Sequence, residues 1–282
     1  MPGKEKTGLT LGFSPCPNDT FIFHDFIHGL AGRMGLDFSE PVLADVETLN
    51  DWAIEGRLDV TKLSFHALGH VLDRYVLLQS GSALGRGCGP LLISKGTLDR
   101  CDLASWRIAI PGKLTTAAML LRLYEPACLN TVVMRFDRII PALLNGEVEA
   151  GLIIHESRFT YHTYDLKLMV DLGAWWEETY GLPIPLGGIA AKRSLGQPVL
   201  RAIEKGIRQS VVNGFQDPLK SASYIRSHAQ EMDEKVIAAH IDLYVNRFSE
   251  SLGEEGNAAV KIFMQKGVEA GIFSSQGEKI ME

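Results

Sequence analysis

Cysteine is scarce in this sequence, and long apolar runs are missing. Cys16, Cys88, Cys101 and Cys128 are the four cysteines among 282 residues, and no two of them form a CxxC pair. A disulfide-stabilised secreted domain needs a higher density of cysteine, so we expect reduced thiols and a cytoplasmic protein. No N-terminal segment has the apolar centre and cleavage site of a signal peptide, and none approaches the roughly eighteen apolar residues of a membrane span. We therefore expect neither export nor a membrane partner.

An excess of basic residues is missing as well. Lysine and arginine total 28 against 34 aspartates and glutamates, which gives a formal net charge of -6. Because nonspecific binding to phosphate backbones needs clustered Lys and Arg, we predict no nucleic-acid partner. No helix-turn-helix or basic segment is visible, which argues against the effector lobe of a transcription regulator. The 46% hydrophobic and 22% charged residues are typical of a soluble globular protein.

Strand-like and helix-like apolar spacings alternate along the first two thirds of the chain. Residues 9–13 alternate as in a strand and residues 22–30 follow helical spacing, and a second series of this kind begins at 106–111 with WRIAIP. This alternation predicts parallel sheets with helices on their faces. We predict a large α/β lobe formed by 1–96 and 188–282, with a helical C-terminal part, and a small α/β lobe formed by 97–187.

A weak internal repeat supports two lobes. Segments 47–65 and 137–155 align without gaps as a helix, a glycine and a short apolar strand. Gly56 and Gly146 stand where a helix end favours positive φ. The strands end near Ser64 and His155, and ligands of open α/β sheets bind at such ends. A shared glycine also arises by chance, so the sequence leaves this equivalence open.

Two loops between a strand and a helix carry residues suited to an anion. In SPCPNDTFIF at 14–23, the side chain of Asn18 or Asp19 could cap the following helix. In PGKLTTA at 111–117, a lysine and two threonines precede a helix, without the spacing of a P-loop. Free N–H groups at both helix starts favour a bound anion, and plain capping without a ligand is the alternative.

Histidines offer two further kinds of site. His155 ends the apolar strand GLIIH, where an imidazole beside a cleft could act as a general base. The alternative is a partly buried histidine that is satisfied by hydrogen bonds. His24 with His28, and His66 with His70, have the four-residue spacing of a shared metal, but no third ligand is apparent, so we predict no metal site.

Five motifs in the first 190 residues resemble those of a known family. They are SPCPNDTFIF at 14–23, DVTKLSFHAL at 59–68, GRGCGPLLIS at 85–94, IPGKLTTA at 110–117 and GLIIHESRFTY at 151–161. They resemble, in the expected order, the 1,4-dihydroxy-6-naphthoate synthase family of the futalosine route to menaquinone. The first and last motifs are the most specific, and the helical C-terminus adds little.

This resemblance implies a fold, a reaction and a set of site residues. The fold is that of the type II periplasmic binding proteins, with a cleft between two lobes, in a cytoplasmic enzyme. The reaction is a carbon–carbon cleavage that converts cyclic dehypoxanthinyl futalosine, a small-molecule carboxylate, to 1,4-dihydroxy-6-naphthoate and dihydroxyacetone, with no cofactor and no metal. His155 matches the proton acceptor of the family. The implied substrate-binding residues are Lys62, Leu63, Ser64, Thr116 and Ala117, to which we add Thr115 beside them and Asn18, Asp19 and Thr20 on the cleft wall.

Two other functions remain as alternatives. A solute-binding protein would hold a small carboxylate without catalysis, but it would need an export signal. A chorismate dehydratase is similar in fold and pathway, but it should lack the SPCPNDTF segment. The sequence does not decide which helix start binds the substrate carboxylate and which stabilises the developing oxyanion. Nor does it decide whether Trp175 and Trp176 stack on a ligand or fill the core.

Overall fold

Two β-sheets organise the protein. The computed structural model describes residues 8–96, 100–229, 233–274 and 280. Its strands are β1 (Leu11–Phe13), β2 (Val42–Leu43), β3 (Val60–Ser64), β4 (Tyr75–Leu77), β5 (Ala83–Gly85), β6 (Leu91–Ser94), β7 (Ile108–Ile110), β8 (Thr131–Val133), β9 (Ala150–Ile153), β10 (Lys167–Asp171) and β11 (Ile184–Lys192). The first sheet has the order β2-β1-β3-β11-β4, with β5 also paired to β11. The second sheet has the order β10-β6-β9-β7-β8.

Helices connect the strands and cover the sheets. The α-helices are α1 (Pro17–Asp25), α2 (Ala31–Arg33), α3 (Val46–Glu55), α4 (Phe65–Gly69), α5 (Thr116–Tyr124), α6 (Phe136–Leu144), α7 (Ser157–Thr160), α8 (Leu172–Tyr180), α9 (Gln197–Gln216), α10 (Ala222–His228), α11 (Glu234–Tyr244), α12 (Arg247–Glu250) and α13 (Gly253–Glu269). Short π or 3-10 turns lie at Phe26–Leu30, Arg100–Ser105, Tyr161–Tyr164, Arg193–Leu195 and Pro218–Ser221. The described helices include none with the length and apolarity needed to cross a membrane.

The predicted α/β class is confirmed, and the two sheets repeat one plan. Three strands of each sheet run parallel, in the orders β2-β1-β3 and β8-β7-β9. An antiparallel strand follows next to β3 and β9, namely β11 and β6. Gly56 and Gly146 follow the two equivalent helices with φ of 69° and 72°. The internal repeat of the sequence therefore corresponds to a repeated arrangement of strands.

Strands that are buried along their whole length place the cores on the faces of the sheets. β3, β6, β7 and β9 are buried along their whole length, as expected for strands covered on both faces. One core lies between the first sheet and α1 and α9, where the Phe13 and Phe23 rings stack at 4.4 Å. Another extends across the second sheet to α13 and contains Trp176, whose indole N–H donates to the Pro183 carbonyl at 3.2 Å. Trp176 therefore belongs to the core.

The chain crosses between the sheets at places that differ from the predicted lobe boundaries. β5 belongs to the first sheet and β6 to the second, so the crossing lies within 86–90 rather than at 96/97. β11 pairs along its length within the first sheet, so the return precedes Ile184 rather than residue 188. Apolar spacing shows that a strand exists, but its partner is a long-range property that spacing does not encode. We propose these crossings as the lobe boundaries.

Substitution of Gly89 tests the packing of the first crossing. A Cβ at Gly89 would fall on the backbone of Gly173, which cannot move aside as a side chain could. We expect Gly89→Ala to lower the free energy of unfolding by about 3 kcal/mol, the upper range of overpacking costs. Gly32→Ala is the control, since nothing lies within 4 Å of the position that its methyl group would take, and it should be neutral or stabilising. Urea denaturation measures both, and equal stability of the two variants would contradict this packing.

Candidate active site

A cavity of about 100 Å³ lies between the two sheets. Its walls include residues at the carboxyl ends of β1, β3 and β9 and in the loop after β7, the place where open α/β sheets bind ligands. The crossing at Cys88–Pro90, Leu186 and Gly187 of β11, and two side chains of α11 complete the lining. Both sheets and the C-terminal helices therefore contribute to one cavity.

Most of the residues predicted for the site lie on this cavity. Those that line it are His155, Lys62, Leu63, Ser64, Thr115, Thr116, Ala117, Asn18 and Asp19. Thr20 does not: its buried hydroxyl donates to the Cys16 carbonyl at 3.1 Å within α1. The position of the other residues agrees with the prediction, while their contacts with a ligand stay a prediction.

The sequence suggests Asn18 or Asp19 as the cap of α1, but neither side chain caps this helix. Cys16 stands at the N-cap position, and no side chain caps this helix. The Asp19 carboxylate instead accepts hydrogen bonds from the Ser14 hydroxyl at 2.7 Å and the Asn18 amide at 2.9 Å. It also pairs with the Lys62 ammonium, and the two residues are only 2% and 4% exposed. The loop thus holds a buried ion pair at the cavity wall.

Ser64 places a hydroxyl group on the wall of the same cavity. Its oxygen accepts a hydrogen bond from the Asn50 amide at 3.1 Å, and its backbone N–H donates to the Asn50 oxygen at 2.9 Å. The hydroxyl hydrogen of Ser64 has no acceptor in the part of the chain that the structure describes. A ligand oxygen in the cavity could accept it.

The start of α5 faces the same cavity from the second sheet. The Thr115 hydroxyl caps the helix by accepting from the Ala118 N–H at 3.2 Å, and it donates to the Gly112 carbonyl at 2.9 Å. The Thr116 hydroxyl donates to the Leu186 carbonyl at 2.6 Å. Capping and cavity lining therefore coexist in this loop, and the first-turn N–H groups of α5 remain suited to an anion.

His155 has an unusual backbone conformation at the end of β9. Its φ is +56°, a region that non-glycine residues rarely adopt. Its Nδ1 lies 3.5 Å from the Cys16 sulfur, and its ring packs edge-on against Phe136 with centroids 4.9 Å apart. Burial, with the Glu156 carboxylate nearby, raises the pKa of the Cys16 thiol well above its usual value. Cys16 is therefore an uncharged partner that orients the imidazole rather than an ionised nucleophile.

His240 of α11 is a cavity residue that the sequence did not reveal. It is 1% exposed, and its ring lies parallel to that of His155, with centroids 6.3 Å apart and an angle of 13°. The Asn18 amide nitrogen donates a hydrogen bond to Asp19, which fixes the orientation of the amide group. The Asn18 side-chain oxygen therefore accepts a hydrogen bond from Nε2 of His240 at 2.9 Å. Burial, with the side chains of His155 and Lys62 nearby, holds the pKa of His240 well below its usual value, so the ring is neutral. Its position on the apolar face of α11, four residues before the cavity residue Tyr244, was the available signal.

The paired histidines contact protein groups. His24 Nδ1 lies 2.9 Å from the Asp25 carboxylate, and His28 Nδ1 lies 2.7 Å from the His24 carbonyl. His66 Nδ1 is 3.1 Å from the Thr115 carbonyl, which links α4 to the start of α5. Within the described residues, no three His, Cys, Asp or Glu side chains cluster closely enough to hold a metal ion. Cys16, Cys88 and Cys128 are free thiols, whereas the side chain of Cys101 lies outside the described residues.

Comparison with known sequences decides the family. A family model described as menaquinone biosynthesis matches residues 9–269. The chain belongs to this menaquinone-biosynthesis family. A 1,4-dihydroxy-6-naphthoate synthase of Thermus thermophilus is 55% identical over 253 residues, which covers 89% of this chain and 91% of that protein. The synthase of Streptomyces coelicolor is 44% identical over 275 residues, which covers 95% and 96% of the two chains.

Solved structures of other proteins have the same fold as this chain. The crystal structure of a protein from Archaeoglobus fulgidus matches with a TM-score of 0.87 at 33% identity, over 96% of this chain and all of the other. The alkanesulfonate-binding protein SsuA of Xanthomonas axonopodis, bound to MOPS, matches with a TM-score of 0.70 at 15% identity, over 97% and 96% of the two chains. The second likeness concerns the fold alone. The predicted periplasmic-binding-protein-like fold is thereby confirmed.

Removal of the Asp19 charge should destabilise the protein strongly. Asp19→Asn leaves the Lys62 ammonium buried without a counterion, which typically costs about 3 to 5 kcal/mol. The double variant Asp19→Asn with Lys62→Met should recover most of that loss. Arg226→Gln breaks an exposed ion pair with Glu234 and should cost less than about 1 kcal/mol. Urea denaturation gives these values, and a similar cost for Asp19→Asn and Arg226→Gln would rule out a buried charge pair.

Stability should fall in mild acid because of His66. Burial lowers the pKa of His66 from 6.5 to about 4, so the unfolded chain takes up a proton that the folded chain resists. The contribution of neutral His66 to the free energy of unfolding is fully present above pH 6.5 and is lost as the pH falls toward 4. Between pH 7.5 and pH 5 this loss amounts to about 2 kcal/mol. His66→Asn should flatten the pH dependence of the unfolding free energy by that amount, whereas His162→Asn, at an exposed site, should not. Parallel pH curves for wild type and His66→Asn would be the contrary result.

Proposed function

We propose that the protein is a 1,4-dihydroxy-6-naphthoate synthase that acts in the cytoplasm. It is then a carbon–carbon lyase that converts cyclic dehypoxanthinyl futalosine to 1,4-dihydroxy-6-naphthoate and dihydroxyacetone. Two synthases at 55% and 44% identity over most of the chain support this assignment. The observation that carries it is the placement of His155 on the same cavity as Lys62, Ser64 and the start of α5. One cavity thus combines a base with groups that bind anions.

His155 is suited to remove a proton from the substrate. When its Nδ1–H donates to the Cys16 sulfur, Nε2 carries the lone pair that accepts the proton. The Phe136 ring restricts the movement of the imidazole from another side. A positioned imidazole of this kind contributes about 10²- to 10⁴-fold to a rate. The cleavage step requires such a base because the substrate must lose a proton as the carbon–carbon bond breaks and the electrons of that bond pass into the developing aromatic ring system.

Two groups of donors offer sites for negative charge. Lys62 and the Ser64 hydroxyl lie at the end of β3, and the first-turn N–H groups of α5 lie on the opposite sheet. Donors placed in advance stabilise an oxyanion more strongly in an enclosed site than water does. The substrate carboxylate and the developing oxyanion therefore each have a suitable group of donors.

Incubation of the purified protein with cyclic dehypoxanthinyl futalosine tests the reaction directly. Mass spectrometry should detect 1,4-dihydroxy-6-naphthoate and dihydroxyacetone in equal amounts. Binding of the substrate without turnover would instead favour a solute-binding protein, the fold of which this chain shares. A protein that neither binds nor converts this substrate would be neither the synthase nor a solute-binding protein for it.

His155→Asn should remove most of the turnover while the fold is kept. Asparagine tolerates positive φ better than other non-glycine residues, so it fits the backbone at this position. We expect kcat to fall at least about 100-fold, with the affinity for 1,4-dihydroxy-6-naphthoate nearly unchanged. His162→Asn is the control at an exposed position and should keep wild-type kcat. A His155→Asn enzyme with more than about a tenth of wild-type kcat would assign this histidine a structural role.

A further inference from the structure

A second cavity of about 160 Å³ adjoins the first one at His155. The loop Ser14–Cys16, the segment 43–46, the start of α6 and the pair His155–Glu156 line it. Ser14, Val46 and His155 line both cavities. The imidazole therefore stands between two chambers rather than at the end of one.

The two chambers differ in chemistry. Leu63, Ala117, Ile154 and Leu186 give the first cavity apolar walls, which suit the face of an aromatic ring. Charged side chains from three elements line the second one: Asp45 before α3, Arg135 before α6 and Glu156 after β9. Such a lining suits a ligand portion that carries several hydroxyl groups.

Glu156 is a largely buried residue of the second chamber whose carboxylate is free to accept hydrogen bonds from a ligand. Its side chain is 10% exposed, and no hydrogen-bond donor reaches its carboxylate from the described residues. Nδ1 of His240 lies 3.7 Å from Oε1 of Glu156, which is too long for a hydrogen bond. This Nδ1 is itself buried without a partner, because Nε2 carries the hydrogen that Asn18 accepts. His240 Nδ1 is thus a buried acceptor without a donor, and such an atom is costly unless a ligand or water satisfies it. The Glu156 carboxylate beside it faces the second cavity with its acceptor oxygens available to a ligand.

We propose that the second cavity binds the hydroxylated three-carbon end of the substrate, with the Glu156 carboxylate accepting hydrogen bonds from its hydroxyl groups. This inference rests on the proposed function. The aromatic carboxylate end then occupies the first cavity, and the carbon–carbon bond that breaks lies at His155 between the two. Asp45 and Arg135, from opposite lobes, flank the hydroxylated end, and Arg135 is the exposed member of the pair.

Glu156→Gln tests this assignment because it keeps the size of the side chain and removes the charge. Loss of a hydrogen bond to a charged group weakens binding about 10- to 100-fold, so KM for cyclic dehypoxanthinyl futalosine should rise by that factor. The affinity for 1,4-dihydroxy-6-naphthoate, measured by its fluorescence, should not change, since this product lacks the three-carbon end. Glu178→Gln, an exposed glutamate that lines neither cavity, should behave as wild type. Unchanged KM in Glu156→Gln, or a parallel loss of naphthoate affinity, would overturn the proposal.

Binding of the two products provides a second test that needs no turnover. Saturation-transfer NMR should show dihydroxyacetone in contact with the wild-type protein even when 1,4-dihydroxy-6-naphthoate saturates it, and this contact should vanish in Glu156→Gln. Displacement of dihydroxyacetone by the naphthoate would place both in one chamber and refute the assignment. If wild type binds both products together but does not turn over the substrate, the reaction fails and the second subsite stands. If turnover is normal and Glu156→Gln matches wild type in both assays, the subsite fails and the reaction stands.

Discussion

The buried pair of Lys62 and Asp19 connects the parts of the cleft. Lys62 belongs to β3 and Asp19 to the first turn of α1, so the pair joins a central strand of the first sheet to the helix that follows β1. The two side chains are 5% and 3% exposed, and a single unpaired charge at such burial costs several kcal/mol. Because separation of the pair is so unfavourable, the loop from Ser14 to Asp19 is held in one conformation.

This order extends to the C-terminal helices. Asp19 sets the direction of the Asn18 amide, and the Asn18 oxygen in turn sets which nitrogen of His240 carries the hydrogen. His240 lies 222 positions further along the chain and forms part of the cavity wall. The C-terminal helices therefore do more than cover the first sheet, since α11 closes the cleft with a side chain that the N-terminal loop orients.

The sequence predicts what depends on neighbouring residues and misses what depends on distant ones. Apolar spacing locates the strands that end at Ser64 and near His155, and the loop chemistry at 111–117 indicates the start of α5. Asp19 was expected as a possible helix cap, because a capping carboxylate and a buried counterion look alike until Lys62 is brought next to it. His240 was missed for the same reason, since its partner Asn18 belongs to another part of the chain. The membership of β6 in the second sheet likewise depends on its pairing with β9.

The repeated sheet plan makes the difference between its two halves informative. β3 and β9 hold equivalent positions, and the residues that follow their buried runs face one cavity. Phe65, which the repeat aligns with His155, begins helix α4, whereas His155 has φ of +56°. A left-handed conformation costs a residue of this kind about 1 to 2 kcal/mol and persists only where its surroundings enforce it. The ring of His155 contacts Cys16 and Phe136 where the two chambers meet. Backbone strain of this kind is found at active sites and at ligand clamps alike, so it agrees with the position of His155 on the cavity wall, and the base chemistry of the imidazole rests on its ring contacts.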